Sequence, residues 1–214
     1  MAGIQNIDKD LKGDLVRKSI HILSGLLYIP LIYISGPFAF EVLVLLALIY
    51  ACVIVSLLVL HRMHYRPVRE MIKCWGRRNE NYIPLKPTLL LHTGIGISLL
   101  LFPAHIVYAS IAITAMGDGI ATISGKKIGK HKLPYSKSKS VEGTIAGFAA
   151  AFLGAALFVP SLQAIVASAG SMLLESLIGR DIKTNSPIKK AFNLLKNDNL
   201  LLPVFSGFLM MLTG

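Results

Sequence analysis

The chain alternates between long apolar runs and short polar stretches dense in charge. Seven apolar segments stand out, near residues 19–35, 38–60, 88–102, 104–124, 142–159, 161–179 and 199–214. Helix-stopping residues separate several of them: Ser35-Gly36-Pro37, Pro103 and Pro160-Ser161. The second segment is long enough to cross a bilayer at about 20 residues, and several others, at about 15–18, sit at the short end of that range. The pattern predicts an all-α polytopic membrane helix bundle with about seven transmembrane segments. It forms one integral-membrane domain over residues 1–214, with polar loops near 61–87, 125–141 and 180–198. The first 18 residues are polar and mixed in charge, and no small-residue cleavage site follows the first apolar run, which therefore reads as a retained span.

Composition supports a membrane protein: 54% of the 214 residues are hydrophobic and only 15% charged, too apolar for an ordinary soluble domain. Charge sets the expected orientation. The N-terminal tail and the three polar loops hold 4, 7, 6 and 5 lysines and arginines, which together are all 22 in the chain. If every segment spans, these stretches share one side, which the positive-inside rule makes cytoplasmic, with the N-terminus inside and the C-terminus outside. A re-entrant hairpin over 88–124 would leave that side unchanged. The net charge of +11 then reads as a layer facing anionic lipid headgroups, and by itself implies no nucleic acid. Cys52 and Cys74 provide no disulfide framework.

The chemistry concentrates between Met116 and Gly143. This stretch leaves an apolar segment through Gly117-Asp118-Gly119 and crosses a loop carrying six lysines and the hydroxyls of Ser136, Ser138 and Ser140. It re-enters apolar sequence at Glu142-Gly143. Lysines among glycines and serines suit a polyphosphate, because glycine lets backbone N–H groups approach closely. Carboxylates beside them suit the Mg²⁺ that nucleotide phosphates carry. Asp118, Glu142, Glu175 and Asp198 all fall at the same ends of apolar segments, where an unpaired charge is costly, and four at one depth favour a shared site. Glu41 lies toward the opposite face.

Other polar positions have plainer explanations. Arg17, His21, Ser24 and Tyr28 form a stripe at helical spacing, as do Ser168, Ser171 and Glu175, and membrane bundles use such stripes for interhelical hydrogen bonds. For His21 the structural and functional explanations weigh equally; for Glu175 function weighs more. Gly143, Gly147 and Gly154 read as close helix packing. His61-x-x-His64 beside Arg62 is too little for a zinc site, and Trp75 and Tyr82 fit an interfacial stretch. No Walker loop, nucleophile elbow or hydrolase Cys/His pattern is present.

Three groups of residues resemble the polyprenol kinase family, which includes dolichol, phytol and farnesol kinases and the CTP-dependent diacylglycerol kinase. The first is Arg17-Lys18-x-x-His21-x-x-x-Gly25. The second runs from Gly117-Asp118-Gly119 through Gly125 and Gly129-Lys130 to Ser138-Lys139-Ser140-Val141-Glu142-Gly143-Thr144. The third is Asp198-Asn199-Leu200 with Pro203, where Asn197 replaces the family's frequent second aspartate. The resemblance covers essentially the whole chain. It implies transfer of a phosphoryl group from CTP, as co-substrate, to a lipid alcohol. By that resemblance Asp118 and Glu142 hold Mg²⁺, and Gly117, Gly119, Gly125, Lys126, Gly129, Lys130, Ser138, Lys139, Ser140 and Gly143 surround the nucleotide. Glu175 or Asp198 orients the alcohol or completes the metal shell, and His21 is a weaker candidate for base or positioning group.

Two alternatives compete. A CTP:phosphatidate cytidylyltransferase has a similar central motif, but its C-terminal Lys-Asp and Pro-Gly-His-Gly-Gly signature has no counterpart in 180–214. A transporter or anion-binding protein predicts charged sites near mid-membrane and an internal repeat, and neither is visible. The acceptor alcohol is open on sequence alone. Either a plasma membrane or an endoplasmic reticulum membrane suits the chain.

Overall fold

The computed structural model describes residues 2–68, 86–178 and 197–214; for residues 2–14, 17, 86, 137 and 138 it describes the backbone alone. Each of the seven apolar segments is helical. Helix α1 (Ala2–Ser35) ends in a short 3-10 turn (Gly36–Phe38), where Gly36 takes the positive φ of 52° that reverses the chain into α2 (Ala39–Arg62). Then come α3 (Lys86–Leu101) and α4 (Ala104–Ala112), which runs without a break into a π-helical turn (Ile113–Asp118) and α5 (Gly119–Lys127). A two-stranded antiparallel hairpin, β1 (Lys132–Leu133) and β2 (Ser136–Ser140), precedes α6 (Val141–Ala155), α7 (Ser161–Ile178) and α8 (Asp198–Thr213). The hairpin was not expected from the sequence, where 125–141 reads as a plain loop.

Three helical runs are long and apolar enough to cross a membrane: Lys18–Arg62, Ala104–Lys127 and Ser161–Ile178. Pro87–Leu101, Val141–Ala155 and Asp198–Thr213 are apolar but shorter. Trp75, Tyr82 and Cys74, and most of the expected 61–87 and 180–198 loops, lie outside the described residues.

The Ala104–Lys127 run is the central pillar. Its most apolar window is 67% buried, against 11% for the peripheral α1–α2 run. Small residues let neighbours reach its backbone. A Cβ on Gly147 would stand 2.6 Å from the Ala121 Cβ, and one on Gly154 2.7 Å from the Met116 Sδ, so α6 lies directly on the pillar as its glycine spacing predicts. Gly25 of α1 meets Ala115 of the π turn in the same way, and Ile22 fills the space over Gly119. At α8, Pro203 cannot donate to the Asn199 carbonyl four residues back, and Gly94 of α3 packs against that carbonyl. These contacts seat the middle of α1 and the length of α6 on the pillar, and α3 on the start of α8.

Candidate active site

Asp118 is the last residue of the π turn and is buried. π-turns inside α-helices often mark functional sites because the extra residue redirects the side chains that follow. The Asp118 Oδ2 accepts from Lys18 Nζ at 2.5 Å, and His21 Nε2 lies 3.6 Å from the same oxygen. Oδ1 receives the Thr122 hydroxyl at 3.4 Å. Lys18 and His21 arrive together because they are three residues apart on the α1 face seated by Ile22 and Gly25. A charge buried at this depth is tolerable because it is paired.

Glu175 is the second buried carboxylate. It comes from the inner face of α7, below the hairpin, whose Lys139 donates to both its carboxylate and its backbone carbonyl. The hairpin is tied to α7 a second time, by Tyr135 Oη and Ser176 Oγ at 2.8 Å. Asp198 opens α8, whose N-cap is Asn197: the Asn197 side chain and Asp198 Oδ1 both accept from Asn199 N, at 3.1 and 2.8 Å. The charges of Asp118, Glu175 and Asp198 act on one another, and Lys18 and Lys139 act on Asp118 and Asp198. Two of the four carboxylates singled out in the sequence are thus buried against lysines, Asp118 on Lys18 and Glu175 on Lys139.

Glu142 is engaged elsewhere. Both of its oxygens accept from the His131 backbone N–H, at 3.1 and 3.3 Å, and Oε1 lies 2.6 Å from His131 Nδ1. Its contacts fix the loop that carries Gly129 and Lys130. Ser140 is the N-cap of α6, and its Oγ accepts from Gly143 N at 3.2 Å. A Cβ on Gly143 would stand 2.7 Å from the Ala121 carbonyl, and one on Gly129 2.3 Å from Ser140 Oγ, so Gly125, Gly129 and Gly143 serve the crossing of α5, the loop and α6. Lys126 and Lys130 are exposed beside this crossing. The side chain of Ser138 lies outside the described residues. Among the described residues, no group of three or more His, Cys, Asp or Glu stands close enough to hold a metal ion by itself.

The chain resembles plant prenol kinases over most of its length. It is 30% identical to a farnesol kinase, chloroplastic, of Arabidopsis thaliana over 194 residues, which cover 81% of this chain and 62% of that protein. It is 31% identical over 142 residues to a probable phytol kinase 2, chloroplastic, of Oryza sativa subsp. japonica, and 32% identical over 148 residues to phytol kinase 1, chloroplastic, of Arabidopsis thaliana. Each of these two matches covers 64% of this chain and 45% of the relative. These relatives assign the chain to the polyprenol kinase family. The chain spans about half the length of the curated relatives it matches. No family model and no solved structure matches it.

Sequence reasoning missed Lys18 as a site residue, although it stands in the quoted opening motif. It missed Thr122, His131 and Tyr135 as partners of the site. The signal for Lys18 was present: Lys18, His21, Ile22 and Gly25 share a helical face, whereas Arg17 anchors the stripe that the sequence suggests.

Proposed function

We propose that the chain is a membrane-embedded kinase that transfers the γ-phosphoryl group of CTP to the hydroxyl of a prenol. The observation that carries this reading is the pair of buried carboxylates, Asp118 on Lys18 and Glu175 on Lys139, with half-buried Asp198 opening α8 and exposed lysines at 126–132. Phosphoryl transfer needs little covalent help from protein; it needs positioning and charge neutralisation. Lys139 and Lys18 sit on carboxylates and are the cations that would turn to an entering triphosphate. Lys126 and Lys130 extend that positive surface outward, toward phosphate oxygens and anionic lipid headgroups. CTP as the donor rests on the family resemblance.

Magnesium fits this donor set, because hard carboxylate oxygens are its preferred protein ligands. Asp118 with Glu175 would hold it, and phosphate oxygens would complete the shell. Bound there, the ion would neutralise charge on the phosphates. Glu142 has the separate task of holding the His131 loop. The acceptor oxygen bonds to the γ-phosphorus as the bond to the departing CDP oxygen breaks. The hydroxyl proton passes to Asp198, which makes no lysine or histidine salt bridge among the described residues. We further propose that the seven apolar helices all cross the bilayer with the site on the cytoplasmic face, a reading supported by the one-sided charge of the loops. There the isoprenoid tail stays in lipid while its hydroxyl reaches headgroup level.

The test is a membrane assay with γ-labelled and α-labelled CTP, ATP and GTP and a panel of prenols, diacylglycerol and phosphatidate. Transfer of γ-label to a prenol supports the proposal. Transfer of α-label to phosphatidate makes the chain a cytidylyltransferase, and no transfer at all leaves binding or transport.

A further inference from the structure

His92 is a buried titratable group with no part in the chemistry above. It lies on α3, 3% exposed, and both ring nitrogens are engaged. Nε2 is 2.5 Å from the Leu43 carbonyl of α2, which can only accept, so Nε2 carries the proton. In the neutral ring Nδ1 is then an acceptor, and it receives the Tyr28 hydroxyl of α1 at 2.9 Å. The rings of Tyr28 and of Tyr50 on α2 meet the imidazole edge-on, with centroids at 5.4 and 5.7 Å. One histidine thus ties three helices together through directional bonds.

Tyr28 lies on the same face of α1 as Lys18, His21 and Gly25, spaced three, four and three residues apart. Between them α1 touches the pillar through Gly25 on Ala115 and Ile22 on Gly119. Such smooth contacts between small residues resist closer approach but offer little resistance to sliding along the helix axis. The bond from Tyr28 to His92 does resist it, because a hydrogen bond weakens steeply with misalignment. We propose that His92 is a positioning residue: acting through Tyr28, it fixes the depth and rotation of α1 and so seats Lys18 on Asp118. This inference rests on the kinase reading only for its kinetic test.

Purified protein in lipid–detergent micelles would be assayed with CTP and the prenol acceptor. His92→Leu is expected to lower kcat/KM for the nucleotide by about tenfold, within the range of coupled neighbours, and Tyr28→Phe by a similar factor. His92→Gln, which keeps one donor and one acceptor, is expected to recover most of the loss. In a Lys18→Met background, adding His92→Leu is expected to cost no further activity, because the residue it positions is gone. Equal losses in both backgrounds would mean a general effect on the fold and overturn the proposal, as would a fully active His92→Leu. An activity-independent measurement uses Lys18→Cys with Asp118→Cys in a chain whose Cys52 and Cys74 are serines. Cross-linking by a short bifunctional thiol reagent should fall when His92→Leu is added, and an unchanged yield would overturn the proposal. Wild-type protein inactive on every acceptor would refute the kinase reading, and the cross-linking yield would then decide the role of His92 alone.

Discussion

Replacing Lys18 by methionine separates the structural weight of the site from its chemistry. The change keeps most of the side chain's length and apolar stem and removes only the cation. Asp118 is then left with a side chain 3% exposed and no lysine. Its remaining contacts, Thr122 at 3.4 Å and His21 at 3.6 Å, are longer than the ~2.7–2.9 Å of a strong charge-assisted bond. Breaking a buried pair by removing one partner costs about 3–5 kcal/mol. The Lys18 side chain is 17% exposed, so the lower end of that range applies. For a chain of this size 1 kcal/mol moves the melting temperature by about 2–4 °C, so Lys18→Met is expected to melt about 6–12 °C below wild type in detergent. Adding Asp118→Asn removes the stranded charge and should restore most of that drop, while abolishing the phosphoryl transfer that Lys18→Met only lowers. A single variant melting within about 2 °C of wild type, or a double variant no more stable than the single, would refute the reasoning.

Two other substitutions test neighbouring parts of the account. Glu142→Ala releases the His131 loop and is expected to raise KM for the nucleotide several-fold with a smaller change in kcat; steady-state kinetics read this split, and a complete loss of kcat would restore Glu142 to the reacting centre. Gly143→Ala drives a methyl group to within 2.7 Å of the Ala121 carbonyl and 2.8 Å of the Gly125 Cα, both backbone atoms that cannot swing aside. It is expected to cost about 1–3 kcal/mol in thermal unfolding, and an unaffected melting curve would show that α5 and α6 are less closely packed than described.

The helical layout was legible because each apolar run announces itself by length and proline or glycine separates several of them. Asp118 and Glu175 were legible for a related reason: a carboxylate at the end of an apolar segment needs a partner, and each lies against a lysine, Lys18 and Lys139. What local sequence could not show is which neighbour each side chain turns to. Glu142 looks like Asp118 in sequence, yet its position on the first turn of α6 points it to the His131 loop. The π turn leaves no mark in composition, because Ile113–Asp118 reads as ordinary helix until tertiary packing adds the extra residue. Lys18 stood among other N-terminal charges, and only the seating of α1 on Ala115 and Gly119 selects it. Nothing local in the sequence singles out His92, since its partners lie 49 and 64 residues away.

The measurement that bears most directly on the central claim is transfer of the γ-phosphoryl group to a prenol by the purified chain, run beside an Asp118→Asn variant shown to be folded. The account expects label on the prenol with wild type, none with the variant, and none from α-labelled nucleotide with either. An Asp118→Asn protein with full activity, or label reaching lipid only from the α position, would contradict it.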